Sequence, residues 1–121
     1  MKIKTFEDIQ AWQKASDLSL EIYSLFKNNK DFSFRDQIQS ASVSIMNNIA
    51  EGFERQNSKE FIRFLYIARG SCGEVRSMSY LAFRLKYFSQ SNFKEVYQKS
   101  TEISKMLYGL IKAVSIKQKS P

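Results

Sequence analysis

Asn57-Ser58-Lys59-Glu60-Phe61-Ile62-Arg63-Phe64-Leu65-Tyr66-Ile67-Ala68-Arg69-Gly70-Ser71-Cys72-Gly73-Glu74-Val75-Arg76-Ser77-Met78-Ser79-Tyr80-Leu81-Ala82-Phe83-Arg84 is a long stretch in one helical register, and the pattern runs on to about Phe88 without a proline. Asn57 with Glu60 three residues later is a helix-start signature. The stretch therefore predicts one rod on the order of 45 Å at 1.5 Å per residue. At 100° per residue, Phe61, Phe64, Leu65, Ala68, Cys72, Val75, Ser79, Ala82 and Phe83 share one arc, the expected core face. Lys59, Arg63, Arg69, Arg76 and Arg84 share the neighbouring arc, so five cations form one flank. Such a flank suits a phosphate backbone, because guanidinium groups bind phosphates and release counterions. The plain alternative is a solvated face paired with Glu54, Glu60 and Glu74. Ile67, Met78, Leu81 and Leu85 lie outside the core arc. A helix apolar on two sides calls for a second cover, which in a small chain is another subunit, so a homo-oligomer is expected. Gly70 and Gly73 interrupt the rod, and close approach of another helix is the expected reason. Gly70-Ser71-Cys72-Gly73 follows no strand and is no phosphate loop.

Three further stretches have the same period. Thr5 and Asp8 cap a first helix carrying Ala11, Trp12, Ala15, Leu18, Ile22, Leu25 and Phe26 to about Lys27, and Asn28-Asn29-Lys30-Asp31 reads as a turn. Ser33 and Asp36 open a second, with Phe34, Ile38, Ala41, Ser42, Ile45 and Ile49 on its stripe and Gly52 as its left-handed stop. Its small residues allow a neighbouring backbone to come close. Ser91 opens the last, with Phe93, Val96, Ser100, Ile103, Leu107, Leu110, Ile111 and Val114 on one side and a fraying tail from Lys117 to Pro121. Four helices with short connections predict an all-α, antiparallel up-down-up-down four-helix bundle, one domain over residues 1–121.

Composition narrows the chemistry. The net charge is +7 and the pI about 9.6, a balance that favours a polyanionic partner. The chain has no histidine and one cysteine, Cys72, so the usual neutral-pH acid/base group and any cysteine-based zinc site are missing. Cys72 is expected to be a small buried hydrophobe. No cofactor, metal or catalytic site is expected. Glu51 reads as a local ion pair with Arg55 or Lys59, since no second carboxylate is placed to share acid/base work. The first residues have no apolar signal core, and no run approaches a membrane span, so a cytoplasmic protein is expected.

The run Gln37-Ile38-Gln39-Ser40-Ala41-Ser42-Val43-Ser44-Ile45-Met46-Asn47-Asn48-Ile49-Ala50-Glu51-Gly52 resembles the signature of the 23S rRNA intervening-sequence protein family, which also includes accessory variability proteins of diversity-generating retroelements. Phe6-Glu7-Asp8-Ile9, Trp12-Gln13-Lys14-Ala15, Ser58-Lys59-Glu60-Phe61 and Ala68-Arg69-Gly70-Ser71 extend the likeness over nearly the whole chain. The resemblance implies a four-helix bundle assembled as a homopentamer with a basic surface. For the retroelement members it implies partners in nucleic acid and a reverse transcriptase. Asn48, Ile49, Ala50, Glu51 and Gly52 are the motif's structural residues, with Asn48 expected to tie the helix end to the next loop. Where family members often carry arginines after the Gln-Ile pair, this chain has Gln39 and Ser40, and the proline and acidic turn before that helix is reduced to Asp31-Phe32-Ser33. Nucleic-acid contact is then expected from Arg55, Lys59, Arg63, Arg69, Arg76 and Arg84, with lysines such as Lys14, Lys112 and Lys117.

The sequence thus points to a noncatalytic, oligomeric accessory protein that binds RNA or DNA with little sequence specificity, since few aromatics are set for stacking. The alternative is an interaction scaffold that docks an acidic partner or a reverse transcriptase, with no membrane role.

Overall fold

The computed structural model describes residues 3–119, with side chains to Lys117. A single 3₁₀ turn at Phe6–Asp8 leads into α1 (Gln10–Leu25), α2 (Phe32–Glu54), α3 (Ser58–Arg84) and α4 (Gln90–Lys119). Sequential helices touch, and α4 closes back on α1. This is the up-down-up-down bundle that the four stripes predict.

One apolar cluster fills the interior. Leu18 and Ile22 of α1 with Phe26 at its C-cap, Ile38, Ile45 and Ile49 of α2, Leu65 and Val75 of α3, and Val96, Ile103 and Leu107 of α4 are all fully buried. Ser42 and Ser79 enter this core at little cost because each hydroxyl donates to its own helix, Ser42 to the Gln39 carbonyl at 2.8 Å and Ser79 to the Val75 carbonyl at 2.7 Å. Cys72 is buried as expected, and burial pushes its thiol up to about 12. Phe83, assigned to the core face by the wheel, is instead 39% exposed.

The helix ends differ from the sequence reading in instructive ways. The Asp8 carboxylate accepts the Lys4 and Thr5 backbone N–H groups at 2.9 and 3.1 Å, which caps the 3₁₀ turn, and α1 starts two residues later. Asp31, not Ser33, caps α2 by accepting the Phe34 N–H at 3.2 Å. Gly52 is not a stop: α2 runs through it to Glu54, and Gln56, with φ 53°, takes the left-handed position. Asn57 then caps α3 as predicted, accepting the Glu60 N–H at 3.0 Å.

At the other end, α3 stops at Arg84 rather than Phe88. Lys86 has φ 68°, its N–H donates to the Phe83 carbonyl at 3.0 Å, and the Tyr87 N–H donates to the Ala82 carbonyl at 2.8 Å. These two bonds are the Schellman pattern. The chain turns inward there, so Tyr87 and Phe88 stack with Phe26 and Phe34 at centroid distances of 5.4–6.2 Å. Ser89, not Ser91, opens α4 by accepting the Asn92 N–H at 3.0 Å. α4 continues through Lys117 to Lys119, and Ser120 and Pro121, the end of the expected tail, lie outside the described residues.

Tyr87 also donates to Asp31 Oδ2 at 2.7 Å, joining the end of α3 to the cap of α2. That bond raises the phenol above its ordinary value of 10.0. A group raised in the folded state stabilises below its unfolded pKa and loses that contribution as pH rises through the folded value. Thermal melts should therefore show a stability loss above about pH 10 that Tyr87→Phe removes, along with a lower melting point at neutral pH.

Gly70 and Gly73 lie mid-helix, and a Cβ built on either meets nothing within 4 Å. No other helix of this chain closes on either glycine. Gly70→Ala and Gly73→Ala are each expected to stabilise the folded chain by about 1 kcal/mol in urea titration, the helix propensity difference.

Candidate nucleic-acid interface

The structure divides the predicted arginine flank into separate settings. At the α2–α3 turn, the Arg55 and Arg63 guanidinium groups lie over the Phe64 ring at 5.1 and 4.6 Å, and Phe64 is 5% exposed beneath them. Each is also ion-paired, Arg55 with Glu51 at 3.4 Å and Arg63 with Glu60 at 3.1 Å. The Arg63 hydrogen bond and then its charge hold the Glu60 carboxyl below the usual range, with smaller help from Arg55 and Lys59. These exposed pairs add little stability, and the stem contacts with Phe64 matter more. Glu51 is thus a local ion-pair partner, as its sequence setting suggests.

Farther along α3, the setting changes. Arg69 Nε donates to Ser104 Oγ on α4 at 3.4 Å, and its guanidinium lies over the Tyr108 ring at 5.0 Å. Lys112 Nζ lies 5.5 Å from the centroid of the same ring, so two cations meet one aromatic ring. Arg76, two turns on, is close enough to Tyr80 and Cys72 for its charge to act on both. Tyr97 of α4 meets the Tyr80 ring edge-on at a centroid distance of 5.8 Å, and its hydroxyl raises the Tyr80 phenol. Arg84 is exposed in the last turn, where a cation complements the helix dipole.

α4 sorts its charges by side. Glu102 pairs with Lys14 of α1 at 3.0 Å, and Lys99 bridges Glu95 and Glu21 at 3.0 Å. The helical period puts Tyr97 and Tyr108 on the α3 side of α4, and Lys94, Lys105 and Lys112 on the outward face between those rings and the acids. The acids of α4 therefore face α1, the tyrosines face α3, and the lysines border the tyrosines on the solvent side. The resulting α3–α4 face carries Arg69, Arg76 and Lys112, none of them in an ion pair among the described residues. Lys14, one of the lysines expected to contribute, is instead held by Glu102.

The other side of α3 differs. Ile67, Leu81 and Leu85 are 41%, 48% and 45% exposed, beside the open backbone of Gly70. Among the motif residues, Ile49 is core and Asn48 does not reach the following loop. Its Nδ2 donates to the Ser44 carbonyl and Oγ at 2.8 and 2.9 Å, and Ser44 Oγ meets Ser71 Oγ at 2.9 Å across to α3. Gly52 is buried against Phe64, where a Cβ would stand 2.5 Å from the Phe64 Cβ. The motif thus seats α2 on α3.

This four-helix geometry, with the motif at the α2–α3 seam, accompanies a match of residues 7–109 to the family model described as 23S rRNA-intervening sequence protein. The chain belongs to this family. The structure is also similar to a 1.70 Å crystal structure of a protein of unknown function from the S23 ribosomal protein family of Bacteroides thetaiotaomicron VPI-5482. The TM-score is 0.79 at 28% identity, over 84% of this chain and 98% of the other. No match was found among curated proteins. Neither comparison points to a catalytic family. Among the described residues, no helix is long and apolar enough to cross a membrane, and no group of three or more His, Cys, Asp or Glu could hold a metal ion.

The sequence reading missed Ser104, Tyr108, Tyr80 and Tyr97 as parts of this face. The signal was present in the last helix: Phe93, Tyr97, Thr101, Ser104 and Tyr108 recur three or four residues apart, beside the stripe that fills the core. Tyr66, Tyr80 and Tyr108 are about half exposed, at 52%, 52% and 46%.

Proposed function

We propose that this chain is a noncatalytic, oligomeric accessory protein that binds RNA or DNA through the α3–α4 face with little sequence specificity. The observation that carries this reading is the pairing of Arg69 and Lys112 over Tyr108, with no acid in the arrangement. Cations without carboxylate partners are free to take phosphates, and each phosphate bound releases counterions. Arg76 and Arg84 extend the positive strip along α3, and Arg55, Lys59 and Arg63 add charge at its far end. Nothing in this arrangement presents a shaped donor set to base edges, which favours backbone contact over sequence readout.

A second reading has its own observation. The exposed Ile67, Leu81 and Leu85 stripe with Gly70 suits a protein surface, either another copy of the chain, as in the pentamer that the family resemblance implies, or a partner such as a reverse transcriptase. Both uses are compatible, since the two faces of α3 are distinct.

Fluorescence anisotropy with RNA and with DNA at about 50 and 200 mM salt tests the first reading. The expected result is binding to either polymer that weakens steeply at the higher salt. No binding at the lower salt, with retention of a protein partner in an RNase-treated pull-down, would replace it with the scaffold reading.

A further inference from the structure

Where α3 ends and α4 begins, four aromatic rings gather on the outside of the bundle. Tyr80 and Phe93 have centroids 5.1 Å apart, Phe83 and Phe93 5.3 Å, and Phe93 and Tyr97 5.8 Å. Its outer half is open to solvent, with Tyr80 52% and Phe83 39% exposed, while Tyr97 is half-buried and Phe93 packs partly buried against the core. Leaving such rings in water is unfavourable, because burying aromatic surface is among the larger gains in folding. Cations flank them, with Arg76 beside Tyr80, and Arg84 and Lys94 adjoining in sequence and helical register. Three turns along α4 from Tyr97, Tyr108 forms a second aromatic station under Arg69 and Lys112. Eleven residues separate Tyr97 from Tyr108 and Tyr80 from Arg69, about 16 Å in each helix and nearly in line.

We propose that the Tyr80, Phe83, Phe93 and Tyr97 cluster is a stacking platform for unpaired bases, and that the polymer bound by this face is single-stranded nucleic acid. The inference rests on the nucleic-acid reading given above and narrows its ligand. Phosphates alone would be served by cations alone, and a paired duplex keeps its bases stacked inside, out of reach of rings on a convex surface. An unpaired strand offers both complements at once, a negative backbone for Arg69, Arg76 and Lys112 and π-faces for the rings. Stacking is tolerant of sequence, since every base has a face to offer.

The test compares an unstructured RNA strand of about 15 nucleotides with its own duplex, on the native protein and on Tyr80→Ala/Phe83→Ala, with Tyr80→Phe as the conservative variant. Expected are single-strand binding about tenfold or more tighter than duplex binding, a further loss of about tenfold for the strand alone in the alanine pair, and near-native binding by Tyr80→Phe. Equal affinity for strand and duplex, or an alanine pair that binds the strand normally, would overturn the platform while leaving nucleic-acid binding intact. No binding to either polymer would instead remove the broader reading. An alanine pair that changes the oligomeric state would make the cluster a subunit contact and also overturn the platform. If that pair fails to fold, the Tyr80 and Tyr97 ring resonances of the native protein decide, since stacked bases must shift them.

Discussion

Gly52→Ala is expected to destabilise the chain by about 3 kcal/mol and lower the melting temperature by roughly 10 °C. An alanine in an ordinary helix interior would stabilise by about 1 kcal/mol relative to glycine. Here the added Cβ would stand 2.5 Å from the Phe64 Cβ and 3.2 Å from a Phe61 ring carbon. The Phe64 Cβ is fixed to the α3 backbone and cannot rotate away, so the two helices must separate. That separation loosens the seam held by Ser44 and Ser71 and disturbs Phe64, over which Arg55 and Arg63 lie. The overpacking cost exceeds the propensity gain, and the sign of the change is set by the clash. Urea titration of this variant beside Gly70→Ala would separate the two effects, one glycine required by packing and the other open to solvent.

Replacing Arg69, Arg76 and Lys112 together by Glu is expected to lower RNA affinity on the order of a hundredfold at low salt. The slope of log affinity against log salt should fall by about 2, since each lost phosphate contact removes about 0.7 for a single strand. Arg55 and Arg63 are poorer targets, because both lie over Phe64 and pair with neighbouring carboxylates. Converting that pair to Gln should reduce stability with a smaller effect on binding. A charge reversal that leaves both affinity and slope unchanged would mean that phosphates are met elsewhere. Circular dichroism on the triple variant is needed beside the titration, since Arg69 also bonds Ser104.

The bundle was legible because its core stripes are local and periodic. Ile38, Ile45 and Ile49 or Ile103 and Leu107 declare their face by spacing alone, and the structure buries them. Glycines were not legible in the same way. Gly52 reads as a stop and is a packing contact, while Gly70 and Gly73 read as packing contacts and are open. A missing side chain carries no spacing signal that separates a backbone need from a neighbour's need. The real left-handed residues, Gln56 and Lys86, have side chains that usually avoid that region, so propensity could not reveal them. The basic face was half legible. A helical wheel assigns arginines to an arc, but not to the neighbour that meets that arc. Arg63 finds Glu60 on its own helix, whereas Arg69 finds Ser104 and Tyr108 on another. The chemistry of the face depends on that cross-helix meeting, which only the fold supplies.

Ultraviolet cross-linking of RNA to the native protein, followed by mass-spectrometric mapping of the linked peptides, tests the central claim most directly. The account expects cross-links in α3 and α4, concentrated at Tyr80, Tyr97 and Tyr108. Cross-links confined to α1 and α2 would contradict it, placing the nucleic acid on a side of the bundle that this arrangement of cations and rings does not reach.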